Sequence, residues 1–198
     1  MKSTALAVLA LAALAAGPVA LGDVYSITPP DPDLDDLDHS KCYTWGIDTP
    51  WPTDEAEAVS ATLEFQQIRD WTWESNVLYI HLLDDAPAGL SYTRDSQGGG
   101  DNFAGQGIVL EVYRDLPATP QDLVYQFTKD QIDTLNDYAA DGRFGLAFDP
   151  DCHFYNEGVS LRIATELTEI PEPATLTLLA VGTGLILFRR RRRKAARP

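Results

Sequence analysis

Ten consecutive residues, Asp149-Pro150-Asp151-Cys152-His153-Phe154-Tyr155-Asn156-Glu157-Gly158, bring together three carboxylates, a thiol, an imidazole and an amide. Hard oxygen donors on one loop suit Ca²⁺, which takes roughly six to eight oxygens, backbone carbonyls included. Asp149, Asp151, Asn156 and Glu157 are therefore the candidate ligands of a structural calcium ion. The plainer reading is that these acids cap turns and face water. No other cofactor is expected. Asp31, Asp33 and Asp35 imitate the opening of an EF-hand loop, but Asp36 stands where glycine is needed and Cys42 where glutamate is needed, so that site is rejected.

The two cysteines, Cys42 and Cys152, form an even pair, which in an oxidising compartment argues for one disulfide. It would close a loop of about 110 residues, worth roughly 4–5 kcal/mol in the chain-entropy account. A Cys/His metal site competes, since His39 lies near Cys42 and His153 adjoins Cys152, but the spacing matches no zinc pattern.

No constellation for covalent catalysis is present. There is no G-x-S-x-G, and His81 sits inside the apolar run Val77–Leu83, where a structural histidine is the ordinary occupant. The glycines at 98, 99, 100, 105 and 107 lack the G-K-[ST] ending of a phosphate loop and read as a flexible rim loop. Carboxylate pairs such as Asp84/Asp85 or Asp149/Asp151 could serve a glycosidase, but the separation that defines one is not legible in sequence. The protein is expected not to be an enzyme.

Aromatics give a second kind of chemistry. Trp71-Thr72-Trp73 puts two indoles on one face if the stretch is extended. Exposed, Trp71 and Trp73 would stack on sugar rings; buried, they would be ordinary core residues.

The elements that must position these groups are mostly short strands. Val59, Ala61, Leu63 and Phe65 alternate with Ser60, Thr62 and Glu64. Val77–Leu83 reads as a central strand, and residues 108–113, 123–127, 143–148 and 158–164 as further strands. Thr128 and Gln131 form a capping box ahead of a short helix carrying Ile132, Leu135 and Tyr138/Ala139, which Gly142 stops. The pattern predicts an all-β protein, a β-sandwich with one short helix. The stretch from Tyr125 to Phe148 looks like the late part of jelly-roll sugar-binding modules. Residues 23–41 read as an acidic, proline-rich lead-in, strand-free from 27 onward, and 42–169 as the sandwich.

Both ends carry addresses. Met1-Lys2, an apolar run from Thr4 to Ala16 and small residues at Ala20-Leu21-Gly22 read as a signal helix over 1–22, cleaved before Asp23. Residues 170–198 have three parts: Pro171-Glu172-Pro173, an apolar run from Ala174 to Phe188, and the basic cluster Arg189, Arg190, Arg191, Arg192, Arg193 and Lys194. The prolines hold Glu172 extended. The fifteen apolar residues make a helix of roughly 22 Å. That is short of a ~30 Å hydrocarbon core, and snorkelling arginines cover the gap. The cations mark the cytoplasmic side, so the preceding domain lies outside. This arrangement closely resembles the PEP-CTERM sorting signal of exported bacterial proteins. The resemblance covers about one seventh of the chain and implies an inner-membrane stage, processing by an exosortase-type protease, and delivery to the cell surface or extracellular matrix.

Removing Lys2 and the seven tail cations leaves 7 basic against 29 acidic residues over 23–170, a formal charge of −22 compared with −15 for the whole chain. Such a surface excludes nucleic acid and anionic lipid as partners. The expectation is a non-catalytic exported protein binding exopolysaccharide. The alternatives are an envelope structural or protein-interaction subunit, or a secreted glycan hydrolase.

Overall fold

A computed structural model describes residues 21–95 and 99–168. Residues 1–20 of the expected signal helix, the Pro-Glu-Pro triplet, the membrane helix and the basic cluster lie outside these residues; the last two of the expected signal helix, Leu21 and Gly22, are in a strand. Among the described residues no helix is long and apolar enough to cross a membrane.

Two antiparallel sheets enclose one core, as the strand pattern predicts. The first carries β1 (Leu21–Ile27), β10 (Gly158–Leu167), β3 (Ala56–Asp70) and β7 (Gln121–Gln126), in that order, with the short β9 (Phe154–Tyr155) paired to the end of β3. The second runs β5 (Gly89–Arg94), β2 (Lys41–Asp48), β8 (Arg143–Pro150), β4 (Val77–Leu83) and β6 (Ile108–Arg114). Alternation explains which side chains meet between them. Leu63 and Phe65 of β3 face Leu78, Ile80 and Leu82 of β4 and Phe144, Leu146 and Phe148 of β8, all within one buried cluster. Phe65 and Phe148 join the sheets edge to face at 5.7 Å.

The helix α1 (Lys129–Ala139) forms where the period changes. Thr128 accepts from the Gln131 N–H and the Gln131 side chain accepts from the Thr128 N–H, the reciprocal cap expected. Ile132, Leu135 and Ala139 turn inward. Past the end, Gly142 takes φ +96° and donates its N–H to the Ala139 carbonyl. Along the adjoining part of β3, Asn136 donates to the Ala58 carbonyl at 2.9 Å and accepts its N–H at 2.8 Å.

Three expectations need correction. Val59 is 44% exposed, because the β3–β10 register slips between Ala164 and Thr165 and the bulge turns it outward. The lead-in belongs to the sandwich: β1 pairs with β10, and a 3-10 turn (Leu34–Leu37) buries Leu34 and Leu37 completely. Its four residues all have φ between +44° and +56°. Asp35 and Asp36 are tolerant of that region, while the two leucines occupy it because their side chains then reach the core.

The disulfide is the third. Cys42 and Cys152 are both free thiols. On β2, Tyr43 and Trp45 point into the inter-sheet core, so Cys42 points to the opposite face of its sheet, where it packs with Leu83, Phe103 and Ala147. Cys152 belongs to the inter-sheet core. Cysteines on opposite faces of one sheet do not meet the short Cβ separation a disulfide requires.

Candidate functional site

Strand β3 ends at Asp70, and the next six residues form a loop anchored from inside. Asp70 accepts a hydrogen bond from the Cys152 thiol at 3.1 Å and from the Asn76 amide at 3.0 Å. Asn76 also spans to Leu116, donating to its carbonyl and accepting its N–H. Thr72 turns in toward Cys152 at 3.8 Å. With Thr72 and Asn76 held inward, the indoles between and before them go outward: Trp71 is 56% exposed and Trp73 fully exposed. The stretch is therefore a bend rather than a strand, and neither tryptophan is a core residue. Trp45 and Trp51 are the core tryptophans.

Trp71 is fixed through its N–H, which donates to the His153 carbonyl at 3.1 Å. Its ring lies 5.4 Å from that of His153, which in turn lies 5.1 Å from the Tyr155 ring. Arg69 sits over Tyr155 at 5.2 Å, since β3 pairs with β9 in the register Arg69↔Tyr155. The result is an aromatic strip at the end of the first sheet. Beside it opens a cleft of about 290 Å³ lined by Trp73, Asp70, Thr72, Glu74, Asn76 and Asp115. Flat apolar rings thus stand next to the exposed carboxylates of Glu74 and Asp115, while Asp70 and Asn76 are buried and already hydrogen-bonded.

The calcium candidates do not assemble. Asp149 is fully buried on the outer face of the second sheet, accepting the Asn102 N–H at 2.6 Å and its amide at 3.2 Å, with the Cys42 thiol at 3.5 Å. Asp151 accepts the Gly100 N–H. Asn156 faces elsewhere, donating to the Asp33 carbonyl at 2.7 Å and accepting from Gly158. Glu157 is exposed. Asn156 thus closes the lead-in turn onto β10.

The described part of the glycine-rich segment proves to be a cover. Residues 99–107 lie over the outer face of the second sheet, with Phe103 buried and 5.9 Å from the His81 ring. Gly107 has φ +59°, and a Cβ there would sit 2.0 Å from the Leu82 carbonyl oxygen, so this close approach requires glycine. His81 is buried as expected, its Nε2 3.0 Å from Asp101, outside hydrogen-bonding geometry, and its Nδ1 3.3 Å from the Gln106 carbonyl. Burial pushes the Asp149 and Asp151 carboxyls above their ordinary range, against the hydrogen bonds from Asn102 and Gly100. Burial and the neighbouring Asp149 raise the Cys42 thiol to about 12, so it stays a thiol.

Sequence reasoning missed Arg69, His153 and Tyr155 as neighbours of Trp71. His153 and Tyr155 lie more than eighty residues from Trp71, just before and within a two-residue strand that leaves no periodicity.

No curated protein matches the chain significantly. Among solved structures, a latent aurone synthase (polyphenol oxidase) from a natural source is similar, with 10% identity and a TM-score of 0.34. The likeness covers 77% of this chain and 26% of that one, so the chain spans about a quarter of that protein's length. Residues 169–194 match the PEP-CTERM protein-sorting motif, a motif that implies export and processing by an exosortase-type protease. The Pro-Glu-Pro triplet, the apolar run and the basic cluster are thus the sorting tail of an exported PEP-CTERM protein.

Proposed function

We propose that the sandwich is a non-catalytic polysaccharide-binding module, delivered by its tail to the cell surface or extracellular matrix and held there by exopolysaccharide. One observation carries the reading: Trp73 is fully exposed beside Trp71 and a cleft lined by the exposed carboxylates of Glu74 and Asp115, which offer stacking for a sugar's C–H face and acceptors for its hydroxyls. Trp71 and Trp73 expose neighbouring apolar rings rimmed by carboxylates, the kind of surface that marks an interaction site. The acidic surface keeps the module soluble and leaves neutral sugar hydroxyls as suitable partners.

The test uses the full-length protein in detergent, sedimented with the producing organism's exopolysaccharide. Each ring contributes ~0.5–1.5 kcal/mol through stacking, so Trp71→Ala and Trp73→Ala should each weaken retention ~2- to 13-fold. Their unfolding midpoints should stay at the parent value. Unchanged retention in the double variant, or specific capture of an envelope protein without glycan, would move the assignment to an interaction subunit. New reducing ends appearing in the polysaccharide would make it a hydrolase.

A further inference from the structure

The chain has three histidines, and two of them meet. His39 follows the lead-in turn and His153 follows β8, yet their ring nitrogens and an Asp38 carboxylate oxygen all lie within 4.8 Å of one another. We propose that Asp38, His39 and His153 form a binding site for a divalent transition-metal ion of the Zn²⁺ class, joining the lead-in to the β8–β9 connection. This goes beyond polysaccharide binding and does not depend on it.

Two of the three ligands are already held. The Asp38 carboxylate accepts the Ser40 N–H at 2.9 Å, and the Asp38 N–H donates to the buried Tyr43 hydroxyl at 2.8 Å. His153 is held between the Trp71 and Tyr155 rings, with its carbonyl accepting from Trp71. His39 is the adjustable arm: its side chain is 61% exposed, and Nδ1 stands 3.6 Å from Asp38. Ligands ~2.0–2.2 Å from one tetrahedral ion lie about 3.3–3.6 Å apart. The Asp38–His39 pair stands at that spacing, and His153, within 4.8 Å of both, must move in to close the set. Two imidazoles with one carboxylate select zinc-like ions over calcium or magnesium, which want oxygen. The solvent side of His39 leaves room for water to complete the coordination.

Untagged full-length protein, freed of metal by chelation, is titrated calorimetrically with Zn²⁺. One saturable site is expected, indifferent to excess Ca²⁺ or Mg²⁺. His39→Gln, His153→Gln and Asp38→Asn should each weaken it by at least the ~10–100-fold that even outer-sphere partners are worth. His39 is exposed, so its variant separates ligand loss from misfolding. Cu²⁺ bound there should quench the Trp71 emission, and Trp71→Phe should remove most of the quenching while binding remains. Absence of a saturable site overturns the proposal. So does binding that survives both histidine substitutions, or binding abolished only by Cys42→Ser, which would locate the ion with Cys42, Asp95 and Asp149.

Discussion

Replacing Leu37 by alanine asks whether the acidic lead-in is part of the folded domain. Leu37 is fully buried in the inter-sheet core, although residues 34–37 carry three of the features of a solvated turn: two aspartates, positive φ and no regular strand. Holding four L-residues in the left-handed region costs ~1–2 kcal/mol each. The segment stays there because Leu34 and Leu37 reach the core and because Val159 and Asn156 donate to the Pro32 and Asp33 carbonyls at 2.6 and 2.7 Å. Truncating a fully buried leucine loses its transfer free energy and leaves a cavity, in total ~2–5 kcal/mol. With m near 2 kcal/mol per M urea, within the usual ~1–3, the midpoint falls by roughly 1–2.5 M. Full-length protein in detergent is unfolded in urea and followed by tryptophan emission, with the buried Trp45 and Trp51 reporting on the core. Pro30→Ala, at an exposed neighbour, is the control and should stay within ~0.5 kcal/mol of the parent. A Leu37→Ala midpoint indistinguishable from that control would refute the packing and return residues 23–41 to the status of a linker.

Trp45→Ala should cost ~3–5 kcal/mol, the converse of Trp73→Ala, and the pair of melting curves separates core from surface indoles directly. Reductant should leave the melting temperature unchanged, and Cys42 and Cys152 should resist alkylation until unfolding, since both are buried free thiols whose ionisation burial opposes. Stability should fall as pH rises from near 4. The Asp149 and Asp151 carboxyls have folded-state values raised above 3.8, so the native state binds more protons than the unfolded chain across that window. Asp149→Asn should flatten this slope in pH-dependent urea unfolding, whatever it does to absolute stability. Asp38 and Asp122, lowered by backbone hydrogen bonds, act oppositely and lose their contribution as pH falls below 3.8.

By itself the sequence determined the address and most of the repeating structure. The sorting tail is legible because such a signal is linear: hydropathy, prolines and charge in order need no fold to be read. Strands β3, β4, β6, β7, β8 and β10 and helix α1 were legible for a similar reason, since period and caps are local. Tertiary structure decided everything that depends on which face meets what. It set Cys42 and Cys152 on opposite sides of one sheet, where residue count alone suggested a bond. It drew Leu34 and Leu37 inward from a segment whose aspartates and prolines look solvated. It turned Trp71 and Trp73 outward by anchoring Thr72 and Asn76, a choice that composition leaves open. It separated Asp149 and Asp151 from Asn156, and it brought His39 to His153 across 114 residues of chain. Each of these is a long-range pairing fixed by strand register and sheet stacking, and register is a property of two strands at once, which no single stretch of sequence contains.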